Sequence, residues 1–434
     1  MPRIIRARRL RGGVGAPSIG TLESVGTAAS LVVRQRGTME GMDRSPRPRL
    51  LVLASTFPAA AGDGTPAFVR DLAIEEAAAF DVLVLVPRVP GGAAEETDGP
   101  IRVRRYPYFP RRWEALAHGA ILENLRARRS LWLQVPTLFA AQWLATRRAI
   151  REFQPDVMHV HWIVPQGIVA RSLAHGIPML VTTLGGDLYA LDGDVMRRVK
   201  RWVLGAAAAV TVMNQDMAAR VIALGAEPAA VGVEPMGADA AAMQIERITA
   251  ETGQRVRLLL VGRLVEKKGV SVLLAALRAV PHRDWELTIV GDGPLRTRLE
   301  SEARELPVRF VGQQGRGDLA KQYASADIVL APSVIAANGD QDGLPVALIE
   351  AMSAGCAVIV SDLPGLADVA ADGAGVLVRS GDEEDLTMAL TALMAEPDRI
   401  RELGASAAER AKEYAMPAVG ARYRERIQRI LDAR

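Results

Sequence analysis

The sequence predicts an α/β protein of two facing Rossmann-like domains, each a parallel sheet wrapped by helices, with a cleft between them. Three observations predict it. The chain has 434 residues, a two-domain length at about 100–200 residues per domain. Short aliphatic runs alternate with Ala/Leu-rich helical segments from residue 50 onward. Runs such as LLVLA at 50–54 are apolar on both faces, as parallel strands covered by helices on both sides require. Apolar residues make up 49% and aromatics 4%, which excludes a disordered chain and leaves mainly aliphatic cores. One cysteine, Cys356, cannot form an internal disulfide, and this suits a reducing compartment.

The elements follow in order. Residues 1–48 read as a disordered basic tail rich in Arg, Gly and Ser, without the apolar stretch of a secretory signal. Residues 1–49 hold ten Arg against three acids, a net +7, so the total of +3 leaves −4 for residues 50–434. The basicity therefore belongs to the tail, and nucleic acid is not expected as a partner of the body. Either translation starts at Met39 or Met42, or the tail is an RNA- or membrane-binding arm. The first domain, 49–240, has expected strands at 50–56, 81–87, 101–106, 156–162, 178–183 and 208–213. A small, polar stretch at 237–256 marks the boundary. The second domain, 256–415, has expected strands at 257–262, 286–291, 308–312, 326–332, 357–361 and 375–379. Residues 416–434 form a last helix expected to pack back on the first domain.

No segment reaches the ~20 apolar residues needed to cross a bilayer. The best candidate, 131–145, is 15 residues long with two Gln and a Pro. Trp113, Trp132 and Trp143 lie in or beside it, with Arg111, Arg112, Arg126, Arg128, Arg129, Arg147 and Arg148 around them. This composition reads either as an interfacial membrane-binding surface over 111–148 or as a helical face packed on its own domain.

Chemistry-bearing residues cluster at strand ends of the second half, where open α/β sheets bind ligands. Gly262-Arg263 ends one strand, and Lys267-Lys268-Gly269 follow, so Arg263 and Lys268 can converge on phosphate. Asp342-Gly343-Leu344-Pro345 opens a helix at Val346, whose free N–H groups favour an anion. Glu350 shares a helical face with Val346 and can accept bonds from vicinal ribose hydroxyls. Helix capping by Asp342 and a buried ion pair at Glu350 are the structural alternatives. Gly291-Asp292-Gly293-Pro294 reads as a structural turn, because it lacks dinucleotide-fingerprint spacing.

Five blocks, VGRLVEKKG (261–269), IVGDGPLRTRLE (289–300), ADIVLAPS (326–333), DGLPVALIEAMSAG (342–355) and VIVSDLPGLADV (358–369), resemble the donor domain of the retaining, GT-B-fold glycosyltransferases of family 4. The resemblance implies a nucleotide diphosphate-sugar co-substrate, UDP or GDP, with no metal and no other cofactor. It implies that Arg263 and Lys268 neutralise the diphosphate and that Glu350 holds the ribose. Backbone at Gly312 would meet the base, and that of Gly343, Leu344, Pro345 and Val346 the phosphates and sugar. The family's E-x7-E element falls on Asp342 and Glu350, with Asp replacing the first Glu. In the first half, the loop carrying Gly64 corresponds to the glycine-bearing loop that approaches the donor, and 235–239 (PMGAD) resembles an interdomain element.

One departure concerns Leu184-Gly185-Gly186-Asp187, where the family usually has H-G-x-D. Leu184 replaces its His. His161 is the nearest substitute in sequence order, so His161 and Asp187 are assigned to the acceptor side, and His161 with Asp342, Arg263 and Lys268 to catalysis. A metal pair at His159 and His161 is not expected, because the two are read as projecting to opposite faces of a strand without a third ligand. The expected reaction transfers a sugar, with retention, to a glycan or lipid-linked acceptor in surface polysaccharide, lipopolysaccharide or glycolipid synthesis. The expected place is the cytoplasm or the inner face of the membrane. A nucleotide-sugar epimerase of the same fold and an inactive membrane-associated scaffold are the rival readings.

Overall fold

Two sheets organise the molecule in this computed structural model, which describes residues 47–434 apart from 61–64, 120, 190–191, 240–245, 249–254, 283 and 338. The basic tail and the Gly64 loop tip thus lie outside the described residues. The first sheet comprises β1 (Arg49–Leu53), β2 (Asp81–Pro87), β3 (Glu95–Asp98), β4 (Ile101–Tyr106), β5 (Val157–His161), β6 (Met179–Thr182), β7 (Ala209–Val212) and β8 (Val231–Val233), in the order β3-β4-β2-β1-β5-β6-β7-β8. The second comprises β9 (Val256–Val261), β10 (Trp285–Val290), β11 (Val308–Gly312), β12 (Ile328–Ala331), β13 (Ala357–Ser361) and β14 (Val376–Val378), in the order β11-β10-β9-β12-β13-β14. Leu50, Leu51, Val52 and Leu53 are all fully buried, so β1 is covered on both faces.

The first sheet is parallel as expected except for one edge strand that the sequence does not signal. Strand β3 pairs antiparallel with β4. Its sequence, EETD, has no apolar run to signal it, and charge holds it instead. Glu95 meets Arg104 at 2.9 Å and Glu96 meets Arg105 at 2.6 Å. A short charged strand is also a common way to finish a sheet edge.

Each sheet has a topological switch point, where successive connections leave in opposite directions. These fall between β1 and β5 in the first sheet and between β9 and β12 in the second. Ligand crevices form beyond the carboxyl ends of strands at such points.

The chain passes between the two sheets twice, and the crossings lie side by side. Ala238 N donates to Tyr414 O at 3.0 Å, and Met416 N to Ala238 O at 2.8 Å. The last helix, Met416–Asp432, then packs on the helix Phe68–Glu76 of the first domain. A Cβ added to Gly420 would lie 2.4 Å from Glu75 Cβ, so glycine permits the close helix contact. Arg424 bonds Glu75 at 3.0 Å, Arg422 bonds Glu234 at 2.7 Å, and fully buried Tyr423 donates to Glu234 O at 3.1 Å. Among the described residues, no helix is long and apolar enough to cross a membrane.

Candidate active site

The second sheet brings its cations together at the β9/β12 switch point. After β9 the chain turns through Arg263 into a short 3-10 turn, Glu266–Lys268, and then into the helix Val270–Ala279. Gly269 makes the turn possible: its φ is +64°, and an added Cβ would lie 1.8 Å from Pro332 O, the carbonyl that follows β12. Lys268 folds back over Gly262, and its Nζ reaches Asp342 Oδ2 at 2.8 Å. Ser333 Oγ donates to the same oxygen at 2.9 Å, and Lys267 Nζ lies 3.7 Å from Oδ1. Burial pushes the Asp342 carboxyl up, but Lys268, Lys267 and Ser333 outweigh it and hold it below the ordinary carboxylate value. A narrow pocket opens here, lined by Lys268, Ser333, Pro345 and Ala347.

Asp342 therefore does not cap the helix Val346–Ser353. Pro345 occupies the N-cap position, and among the described residues no side-chain capping bond is made there. Glu350, on the same helix, accepts a bond from Tyr323 Oη at 3.1 Å. Burial raises its pKa above the usual glutamate value, against the opposing pull of that bond and of Arg316. Gly312 ends β11 at φ +73°, next to Gly291, whose N–H bonds its carbonyl at 2.8 Å. Arg263 is half-buried on the same rim.

The first domain contributes the loops after β1, β5 and β6. The side chain of Arg105 is fully buried, and its Nη2 donates to Pro58 O at 2.7 Å, anchoring the loop after β1. Beyond β5, Trp162 adopts φ +73°, a region costly for a bulky residue and typical of functional loops. Asp187, from the loop after β6, fixes this bend. Its Oδ2 accepts from Ile163 N at 2.6 Å and its Oδ1 from Thr183 Oγ1 at 2.7 Å. Burial raises the Asp187 carboxyl despite those bonds. Leu184, at the position of the absent His, is half-buried.

His159 and His161 do not point to opposite faces. A strand repeats every two residues, so i and i+2 share a face, and the two rings lie 4.2 Å apart. His159 is bonded on both nitrogens, to Glu76 at 2.6 Å and Thr182 at 2.7 Å. His161 is fully buried, with no hydrogen-bond partner at either nitrogen among the described residues. In this conformation its ring is packed beside His159 rather than open to the cleft.

Several contacts across the cleft escape sequence reasoning. Asn214 caps the helix Gln215–Ala223 through Met217 N and reaches across the cleft, donating to Gly343 O and Pro364 O, each at 3.1 Å. Asn before a helix is a visible cap signal, but its cross-domain partners are not. Arg316, at the start of the helix Arg316–Ser325, bonds Asp71 of the first domain, and Asp239 at 2.8 Å. Nothing local in the sequence marks that junction. Across the cleft, a Cβ added to Gly185 would come within 3.6 Å of Gln341 O.

Comparisons with known proteins follow the same division of the chain. The family model described as "Glycosyl transferase 4-like domain" matches residues 63–237, and that described as "Glycosyl transferases group 1" matches residues 255–396, together well over half the chain. The amylovoran biosynthesis glycosyltransferase AmsK of Erwinia amylovora is 32% identical over 181 residues, 40% of this chain and 44% of that protein. The chain thus spans under half the length of that relative. Sucrose-phosphate synthase from Thermosynechococcus elongatus superposes with a TM-score of 0.72 at 21% identity, covering 89% of this chain and 100% of the other. The Anabaena HepE structure in complex with UDP and glucose gives a TM-score of 0.65 at 16% identity, covering 88% of this chain and 99% of the other. These two structures are likenesses of fold.

Proposed function

Because the chain belongs to the group 1 glycosyltransferases and has the GT-B fold, we propose that it moves a sugar from a nucleoside diphosphate donor to an acceptor hydroxyl, with retention. One observation carries this reading. Lys268, Ser333 and Asp342 converge at the switch point, beside the uncapped start of the helix Val346–Ser353. On donor binding, Lys268 exchanges the Asp342 carboxylate for diphosphate oxygens, and Arg263 meets them from the rim. Helix N–H groups and these cations stabilise the charge growing on the leaving diphosphate. Asp342 is thereby freed toward the donor sugar, and Glu350 accepts from the ribose hydroxyls. In this reading the acceptor attacks from the front, with the leaving phosphate taking its proton as its bond to the sugar breaks, and the step calls on neither a metal nor another cofactor.

The donor base is assigned to uridine or guanosine, in keeping with HepE, whose structure holds UDP. The acceptor is a glycan or lipid-linked glycan of surface-polysaccharide synthesis, in keeping with AmsK. Lys268→Ala and Arg263→Ala should each lower transfer by roughly 10²–10³-fold, as removal of one oxyanion donor does. Near wild-type turnover in either would refute the assignment. Screening UDP-, GDP- and ADP-sugars by thermal shift identifies the donor. Donor conversion without acceptor would point to an epimerase, and no shift with any donor to an inactive scaffold.

The same proposal places the acceptor half against an anionic membrane surface. Trp113 is 54% exposed and Trp132 57%, with Leu133 and Leu144 exposed near them, and Arg111, Arg112, Arg126, Arg128 and Arg129 are exposed around them. Trp143 is half-buried under Arg147, whose guanidinium lies 5.5 Å from its ring. Trp113→Glu/Trp132→Glu should lower sedimentation with phosphatidylglycerol vesicles at least tenfold. Equal sedimentation would remove the membrane role.

A further inference from the structure

At the amino ends of β6, β7 and β8, the edge of the sheet away from the cleft, the first domain carries a second concavity. It is an open pocket between those strand starts and the C-terminal helix. Its floor is apolar, with Ile177, Ile430 and several alanines. Four arginines, Arg171, Arg426, Arg429 and Arg434, line it, and among the described lining residues none is Asp or Glu. Such one-sided charge is unexpected on a body with a net −4. The carboxylates that partner two of these arginines, Glu234 for Arg426 at 3.3 Å and Glu425 for Arg429 at 2.6 Å, lie outside the lining.

The cations are set rather than free. The Arg171 guanidinium sits 5.6 Å from the centre of the Trp202 ring, within cation–π range. Among the described residues, Arg171 Nε and Arg426 Nε are buried without a hydrogen-bond partner, so an occupant of the open pocket must be met through the guanidinium Nη atoms instead. Guanidinium forks match the oxygens of a phosphate. The apolar floor gives no reason for a small hydrated ion to stay, but it does accommodate a hydrocarbon chain.

We propose that this pocket binds the phosphate head of an anionic amphiphile, with the start of its acyl or prenyl chain on the Ile177/Ile430 floor. The site is separate from the cleft and does not depend on the glycosyl-transfer reading. Because Arg426 and Arg429 belong to the C-terminal helix, an occupant also ties that helix to the first domain.

The test is calorimetric titration of the full chain with dioctanoyl phosphatidic acid below its micelle concentration, with inorganic phosphate and with dioctanoyl phosphatidylcholine. Phosphatidic acid should bind at least tenfold more tightly than either. Arg171→Gln/Arg429→Gln should lose tenfold or more of that affinity while binding UDP as the wild type does. Ala230→Trp, which keeps all four arginines and fills the floor, should lose the amphiphile too. Failure of wild type to bind phosphatidic acid overturns the proposal, as does unchanged binding in both variants. Equal affinity for inorganic phosphate reduces the site to a simple anion site and overturns the amphiphile. Equal affinity for phosphatidylcholine makes the charge irrelevant and overturns it as well.

Discussion

His161 shows how much a single residue's surroundings decide. Its place at a strand end, near the missing family His in sequence order, suggests a catalytic ring, yet the ring is buried beside His159 with both nitrogens unbonded among the described residues. Burial holds His161 well below the ordinary histidine pKa and holds His159 down to about 3. Both imidazoles therefore stay neutral in the fold, whereas in the unfolded chain they take up protons below about pH 6.5. Stability is thus lost as pH falls from about 6.5. Glu76, whose pKa burial raises, acts in the opposite direction, gaining stability as pH falls. His161→Phe keeps the ring and breaks no hydrogen bond. It should flatten the dependence of unfolding free energy on pH below about 6.5, by up to about 1.4 kcal/mol per pH unit, measured by urea titration. An unchanged slope would mean that the ring is not buried neutral. The transfer rate of the same variant shows whether this His replaces the absent one.

At the scale of elements, the donor-side loops were the most legible part of the chain. Arg263, Lys268, Asp342 and Glu350 sit in linear blocks whose spacing fixes which strand end and which helix turn carries them. The strand β3 was invisible because charge pairs rather than an apolar period define it. The role of Gly269 was also hidden, since its partner carbonyl belongs to Pro332, beyond a different strand. Gly269→Ala must adopt φ +64° and move that carbonyl. Donor affinity should fall at least tenfold in calorimetry, while Gly317→Ala, whose added Cβ meets nothing within 4 Å, should leave it unchanged. Equal donor affinity in both variants would show that the turn tolerates a side chain.

For the whole molecule, the contacts that close the cleft were beyond sequence reasoning because they join distant positions. Arg316 and Asp71 are 245 residues apart, and Asn214 and Gly343 are 129 apart. No local spacing encodes such a meeting. Asn214 holds two carbonyls of the opposite domain while capping its own helix, so one side chain couples closure to helix integrity. Asn214→Ala should cost about 0.5–2 kcal/mol from the cap alone and increase the radius of gyration measured by solution X-ray scattering. Asn214→Ser keeps a cap and loses the reach, so it should retain stability yet show the larger radius. An unchanged radius in both would locate closure elsewhere, with Arg316 as the remaining candidate.

The doubled crossing at Ala238 and Met416 has a consequence for synthesis. The first domain is interrupted: residues 256–415 must emerge from the ribosome before Tyr423, Val419 and Ile427, all fully buried, can complete it. Until then the helix Phe68–Glu76 lacks the partner that covers it, and its apolar face waits through the making of an entire second domain. Translation speed through that insertion therefore sets how long the nascent chain is vulnerable to aggregation.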